Sequence, residues 1–91
     1  MGNVRAVWKF NVPCVDLFEL EMPVGSQLLS IQMQFDDAQL WCLCDPNETV
    51  TEKRTFRLAG TGHPINTLNL AFVGTFQMLN KSIVLHLFEV K

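Results

Sequence analysis

Apolar and polar residues alternate with a period of two along most of the chain, a pattern typical of β-strands with one buried face. The alternation is clearest over residues 27–35, where one side carries Leu29, Ile31, Met33 and Phe35. The other side of this segment carries Ser30, Gln32 and Gln34. Helical spacing of apolar residues is scarce, so the pattern predicts an all-β chain.

Further segments with the same alternation are predicted to be strands: 4–12, 17–22, 38–44, 51–59, 70–79 and 82–90. The strands 38–44 and 82–90 are apolar on both faces, which is expected for strands in the middle of a sheet. In the strand 70–79, the alternation assigns Phe72, Phe76 and Met78 to one face. About seven strands therefore account for most of the chain.

Short turn sequences separate these strands. Pro23 presets the backbone for a tight turn, and Gly25 stands where such turns favour glycine. Residues 36–37 are predicted to connect one hairpin and residues 79–82 a second, in which Asn80 tolerates the left-handed conformation. The short connections predict an antiparallel meander folded into a small sandwich or half-open barrel.

Composition narrows the class of protein. With 91 residues the chain is predicted to be one domain over residues 1–91, and its 48% apolar residues suffice for a core or a subunit contact. A net charge of −2 and a pI near 5.5 argue against a general duplex-DNA binder.

No apolar run approaches the ~18 residues of a membrane span, and the first residues lack the apolar stretch of a signal peptide. Three cysteines cannot form a complete disulfide framework, so we expect a cytoplasmic protein with reduced thiols.

Motifs spread over nearly the whole chain resemble a family of small tailed-phage and prophage proteins, described only as a domain of unknown function. The resembling segments are Val7–Phe10, Glu21–Gly25, Leu29–Gln34, Leu40-Trp41, Asp45-Pro46, Gly60–Ile65, Gly74–Gln77 and His86–Glu89. The resemblance implies a phage-encoded protein in the host cytoplasm, and it implies no activity because none is established for the family. Cys42 and Cys44 stand where members usually have a polar or small residue, which weakens any functional role for these thiols.

The glycine-rich segment 60–66 is the best functional candidate in the sequence. Gly60 and Gly62 permit positive φ and a close approach of the backbone to a ligand, and successive exposed amides can hold an anion. Thr61 would bond a phosphate oxygen, and His63 would donate a hydrogen bond or stack on a base. The alternative is a structural loop between two sheets, whose glycines are required by geometry. No helix is predicted to follow, so this is not a known type of phosphate loop.

Basic and aromatic residues add to this candidate. Lys53, Arg54 and Arg57 precede the loop on one strand, where they form either an anion-attracting rim or a solvated face that guards against edge aggregation. Trp41 adds a stacking surface. The residues predicted to bind a ligand are Gly60, Thr61, Gly62, His63, Arg57, Lys53 and Trp41.

The cysteines are interpreted as ordinary thiols. Cys42 and Cys44 share one face of a strand, and free cysteine is among the most buried residue types. A zinc site would need further ligands, and none of the candidates has ligand spacing: Cys14, His63 and His86. A Cys–His nucleophile lacks the local context that presents an activated thiolate. We therefore expect no metal site.

The remaining titratable residues suggest no catalysis. His86 lies between Val84 and Phe88 on an apolar face and is interpreted as a core histidine satisfied by a backbone carbonyl, with a ligand role as the alternative. Asp36 and Asp37 are adjacent in a turn and project to different sides, so they make a poor acid–base pair. We expect neither an enzyme nor a bound cofactor.

Together these features predict a non-enzymatic phage accessory protein that self-associates. It would hold an anionic, nucleotide-derived small molecule at a subunit boundary and thereby sequester a host immune signal. The strands 38–44 and 82–90 need cover on both faces, which predicts a homodimer or larger assembly. The alternative is a protein-interaction module that inhibits a host protein, or a minor phage structural component. Neither hypothesis involves duplex nucleic acid or a membrane.

Overall fold

The computed structural model of the chain describes residues 4–78, 80 and 82–91. These residues form seven strands and no helix. The strands are β1 (Ala6–Asn11), β2 (Leu17–Pro23), β3 (Gln27–Gln34), β4 (Asp37–Cys44), β5 (Thr51–Gly60), β6 (Leu70–Met78) and β7 (Ile83–Val90). The all-β prediction is confirmed.

The strands form two antiparallel sheets that pack as a sandwich and do not close into a barrel. Sheet A has the order β1-β4-β3, and sheet B has the order β2-β5-β7-β6. The two doubly apolar segments form β4 and β7, which lie in the interior of their sheets as predicted. Only β3–β4 and β6–β7 are hairpins. The chain crosses between the sheets after β1, β2 and β4, and β7 lies between β5 and β6 in sheet B.

The core lies between the sheets and consists of the inward-facing apolar residues of both. Its largest fully buried side chains are Phe56, Met22, Leu40, Leu87, Cys42 and Cys44. The rings of Phe18 and Phe56, on the paired strands β2 and β5, stack with their centroids 5.5 Å apart. Each large side chain contributes about 1.5–3 kcal/mol when it leaves water, so burial between the sheets is the main force holding them together.

Cys42 and Cys44 lie on the inward face of β4 and are both 0% exposed, which confirms that they are buried. All three cysteines are free thiols, and only Cys14 is exposed. Burial raises the pKa of Cys42 to about 11 and also raises the pKa of Cys44. Both buried thiols therefore remain protonated near neutral pH.

Arg54 points into the sandwich, away from the outer face that carries Lys53 and Arg57. Its guanidinium donates two hydrogen bonds to the carboxylate of Glu89, at 2.6 and 2.9 Å, and a third to the carbonyl of Ser26 at 2.5 Å. This contact ties β5 to β7 and to the turn between β2 and β3. Arg54 is therefore a structural cation, and an anion on the outer face would meet only Lys53 and Arg57 from this strand.

A β-bulge in β6 reverses the direction of its first residues. The register shifts between Phe72 and Gly74, because Val73 is an extra residue without a single partner on β7. Phe72 consequently points outward and is 62% exposed, whereas Phe76 is 5% exposed. The prediction that Phe72 shares a face with Phe76 and Met78 is therefore wrong.

Strand β3 departs from simple alternation in a similar way. Its register shifts between Leu28 and Ser30, so Leu29 is half exposed instead of facing the core. Phe35 leaves the strand altogether and lies in the two-residue turn before β4, with a φ of 56° and 94% exposure. The turn begins one residue earlier than predicted, and the predicted inward position of both side chains is wrong.

Other turns follow the sequence pattern. After β2, Gly25 has a φ of 82°, and the amide of Ser26 donates to the carbonyl of Pro23 at 3.1 Å. The second predicted hairpin includes Leu79 and Lys81, which lie outside the described residues. Asn80 is described and has a φ of 57°, the left-handed conformation expected for it.

Candidate functional site

One end of the sandwich carries a groove formed by three adjoining cavities. We call it the loop-end groove, because the β1–β2 loop, the β3–β4 turn and the start of the β5–β6 loop border it. Its largest cavity, about 260 Å³, has an apolar floor of Val12, Leu58, Phe76, Met78 and Leu85. Cavities of about 140 and 90 Å³ continue the groove past Cys14 and Asp16 to Gly60 and His63. The predicted glycine loop therefore borders a real depression.

The two glycines of this loop are explained by its turn. The amide of His63 donates to the carbonyl of Gly60 at 3.1 Å, and Gly62 has a φ of 87° at the third position of the turn. No atom lies within 4 Å of where a Cβ of Gly62 would be, so its φ alone requires glycine. A Cβ on Gly60 would lie 2.9 Å from Nδ1 of His63, so the imidazole covers Gly60 closely.

The backbone amides of the loop are largely engaged. The amide of Thr61 donates to the carbonyl of Val84 at 3.4 Å, and that of His63 closes the turn. Two donors of the expected anion-binding nest therefore serve the fold. Two groups of the loop remain available to an anion, the side chain of His63 and the amide of Gly62. Neither makes a hydrogen bond among the described residues.

Thr61 belongs to a hydrogen-bonded group on the outer face of sheet B. Its hydroxyl lies 2.7 Å from Nε2 of His86, and the hydroxyl of Thr75 lies 2.8 Å from Nδ1 of the same ring. The predicted partner of His86, a backbone carbonyl, is therefore wrong. The inward residues of β7 are Leu85, Leu87 and Glu89, so His86 points outward, where side chains of β5 and β6 flank it.

The structure brings together part of the predicted site. Arg57, Gly60 and His63 line the smallest cavity of the groove, together with Asp16. Lys53 lies on the outer face of sheet B opposite Glu21, four residues before Arg57 and thus about 13 Å away along the strand. Lys53 lines none of the three cavities.

Trp41 lies apart from the other predicted site residues. It points to the outer face of sheet A, where the ammonium of Lys9 is 5.9 Å from the centroid of its ring. Lys9 also donates to the side-chain oxygen of Gln34 on β3. Trp41 therefore belongs to a polar sheet surface on the other layer of the sandwich and does not border the groove.

The sequence analysis missed a row of side chains that crosses the outer face of sheet B next to the groove. The row runs from β2 to β6 and consists of Leu17, Arg57, Phe88 and Phe72. The rings of Phe88 and Phe72 meet edge to face, with centroids 5.5 Å apart. Gly74 was the one indication in the sequence that Phe72 faces outward, because glycine inside a strand often marks a bulge.

A family model described as "Domain of unknown function (DUF7352)" matches residues 3–91. The chain belongs to this DUF7352 family. No curated protein and no solved structure matches the chain. Family membership agrees with the expected domain of unknown function and adds no residue roles, so the site of this DUF7352 domain is argued from its geometry.

The groove and the row beside it combine opposite charges with aromatic surface. Arg57 and His63 offer donors, Asp16 offers an acceptor, and Phe88 and Phe72 offer ring faces and edges. Among the described residues, no three carboxylate, thiol or imidazole side chains are grouped to hold a metal ion. The same residues include no helix with the length and apolar character needed to cross a membrane. The arrangement is suited to non-covalent recognition of a ligand that carries an anion, hydroxyl groups and a flat ring.

Proposed function

We propose that the protein is a non-enzymatic binding protein that takes up a nucleotide-derived anion at the loop-end groove. One observation carries the proposal: Arg57 lines a cavity together with His63 and Asp16 and is also the cross-strand neighbour of Phe88, which is half-buried on the outer face of sheet B. A single residue thus connects a polar depression to an aromatic surface. That combination matches the parts of a nucleotide.

Each part of such a ligand has a partner in the groove or in the row beside it. A phosphate accepts charge-assisted hydrogen bonds from Arg57, which are about twice as strong as neutral ones. The carboxylate of Asp16 repels a bare anion, but it accepts hydrogen bonds from the hydroxyls of a ribose. The base lies against Phe88, because aromatic side chains supply stacking surface. Asp16 therefore favours nucleotides over inorganic phosphate.

The size of the groove agrees with a ligand that extends along it. The individual cavities, about 260, 140 and 90 Å³, are smaller than the ~300–1,000 Å³ of ordinary ligand pockets. Together they fall within that range. A mononucleotide or one half of a cyclic dinucleotide fits this space, with the remainder exposed to solvent or to a second subunit.

The biological use that we propose is sequestration of a nucleotide signal of host immunity. This step rests on the resemblance to phage and prophage proteins in the sequence, since a small non-enzymatic binder can lower the free concentration of a signal only by holding it. Sequestration requires at least as many binding sites as there are molecules of the signal. Tight binding without turnover is the property that such a role requires.

Calorimetric titration with nucleoside monophosphates, cyclic dinucleotides and inorganic phosphate tests the proposal. We expect at least one nucleotide to bind and phosphate alone to bind more weakly. Arg57→Ala should lower the affinity more than tenfold, because a hydrogen bond to a charged group contributes about 1.5–3 kcal/mol. His63→Ala should weaken binding in the same direction.

Lys53→Ala is the matched control, since it removes the same charge from the same face of the same strand outside the groove. It should change the affinity less than twofold. Both groove variants should melt at nearly the wild-type temperature, because these side chains are exposed. Equal losses from Lys53→Ala and Arg57→Ala, or no binding of any nucleotide, would refute the proposal.

The exposed apolar residues favour a second candidate function, a protein-interaction module. Phe72 is 62% exposed and Leu17 is 59% exposed on one sheet face. A protein that acts only through this face would bind no nucleotide. Its melting temperature would then stay constant in saturating nucleotide, whereas a pocket with a bound ligand is stabilised.

A further inference from the structure

On the outer face of sheet B, the charged side chains and most of the large apolar side chains lie on different pairs of strands. Strands β2 and β5 contribute its charged side chains, which are Glu19, Glu21, Lys53 and Arg57. Strands β7 and β6 contribute its apolar side chains, which are Phe88, Val90, Leu70 and Phe72. The row defined above crosses both pairs of strands, with Leu17 at one end and Phe72 at the other.

We propose that a second copy of this chain covers this face, with the two-fold axis lying between the sheets and parallel to the strands. Rotation about that axis places each strand over the partner strand at the mirrored position in the sheet. Leu17 then meets the partner's Phe72, and Arg57 meets the partner's Phe88. Because the interface is two-fold, each of these contacts forms twice. The proposed nucleotide would contact Arg57 and Phe88 as well, so the pair is that of the ligand-free protein, and nucleotide and partner compete for these two residues.

The charges favour this axis over a two-fold axis that crosses the strands along the row. That axis would place Arg57 over the partner's Arg57, and these like charges would repel. The axis along the strands instead places each guanidinium on an aromatic ring, which is an attractive cation–π contact. Arg57 is free for that contact, because no carboxylate lies within 4 Å of it among the described residues.

The remaining polar groups of the face tolerate cover. Both ring nitrogens of His86 already pair with the hydroxyls of Thr61 and Thr75, so burying this group leaves no unpaired ring nitrogen. Glu19 lies on the edge strand β2 and keeps contact with water at the rim. Glu21 and Lys53 lie beyond the point where β6 begins, outside the overlap.

The area is of the right order for a stable pair. With strands about 4.8 Å apart and about 3.3 Å per residue, a four-stranded face of this length spans roughly 500 Å² in projection. Stable interfaces bury about 800 Å² of accessible surface on each side. Side chains make the face corrugated, so its accessible surface is larger than its projected area. Exposed aromatic side chains, such as Phe72, are also enriched at such interfaces.

Sedimentation equilibrium of the ligand-free protein tests the pair without reference to any nucleotide. We expect wild type at about twice 10.4 kDa and Phe72→Glu at 10.4 kDa. The matched control is Val7→Glu, which places the same charge at a 55% exposed position on the outer face of sheet A and should leave the dimer intact. A monomeric wild type at high concentration would refute the dimer. A dimer that Phe72→Glu leaves intact would show that this face is not its interface.

Thiol cross-linking tests the axis and does not depend on how Phe72→Glu folds. In a Cys14→Ser background, the double variant Leu17→Cys, Phe72→Cys should form a covalent dimer with a bismaleimide whose spacer spans about 10 Å, the distance between stacked sheets. The two positions lie three strands apart within one chain, about 14 Å, so a spacer of this length favours the link between chains. Leu17→Cys alone should not link, because the proposed axis puts the two copies of this residue at opposite edges of the interface. A link in the single variant, or none in the double variant, would contradict the proposed pair.

Discussion

Ile31 packs directly against the backbone of Gly74 and thereby joins the terminal strands of the two sheets, β3 and β6. A Cβ on Gly74 would lie 2.6 Å from Cγ2 of Ile31, closer than real atoms of this kind approach. Gly74 directly follows the bulge residue Val73, and it faces the core opposite Leu87 on β7. The missing side chain at this position therefore permits the close approach of the sheets along one edge of the sandwich.

Gly74→Ala should lower the free energy of unfolding by about 1–3 kcal/mol, because the added methyl group overpacks this contact. Urea denaturation measures the change. A double-mutant cycle with Ile31→Ala isolates the cause, since Gly74→Ala should cost clearly less once the opposing side chain is removed. Equal losses in both backgrounds would show that the contact with Ile31 is not responsible.

Phe35→Asn should stabilise the protein by about 0.5–1 kcal/mol. A φ of 56° is unfavourable for phenylalanine but is tolerated by asparagine, and the 94% exposed ring loses little contact when it is removed. Thermal and urea unfolding measure the gain. Leu68→Asn, at a 75% exposed position without positive φ, is the control and should change stability by less than about 0.5 kcal/mol.

Breaking the contact between Arg54 and Glu89 should destabilise the fold by about 3 kcal/mol, because the remaining charge stays largely out of water. Both side chains are only 17% exposed. We expect this loss of stability in Arg54→Met and in Glu89→Met. The double variant should lose less than the sum of the two single losses. Lys53→Met is the control on the same strand, and a similar loss there would contradict the assigned role of the pair.

The buried thiol of Cys42 should make stability depend on pH above 9. The folded-state pKa, about 11, lies above the ordinary value of 9.0 because burial disfavours the thiolate. Its contribution is fully present below pH 9 and is lost as the pH rises through 11, up to about 2–3 kcal/mol. Urea denaturation of wild type and Cys42→Ala across this range measures the difference. Parallel curves for the two proteins would contradict the shift.

The sequence was sufficient for the features that depend on local alternation. The doubly apolar segments predicted as interior strands are β4 and β7, and the thiols of Cys42 and Cys44 face the core because they share a side with Leu40. Alternation alone could not assign strands to sheets. For that reason it grouped Trp41 with Arg57, although they lie on opposite layers.

The candidate site was predicted only in part, because its contacts come from residues distant in sequence. Nothing near His86 in the chain indicates Thr61 and Thr75 as its partners, since these lie 25 and 11 residues away. Phe72 was missed because a bulge depends on how two strands pair, which a pattern along one strand does not contain. Gly60 and His63 were found because their turn is encoded locally.

The bulges also determine where the length of this chain can vary. Without Val73, the residues of β6 would alternate regularly, and Phe72 would still face outward while Gly74 and Phe76 faced inward. Loss of one residue there would restore a continuous ladder without exchanging surface and core, and the same holds for Leu29 in β3. At any other interior position of these strands, a one-residue deletion would exchange the core-facing and solvent-facing side chains over part of the strand. Natural length differences among DUF7352 domains should therefore concentrate at these two sites and in the loops.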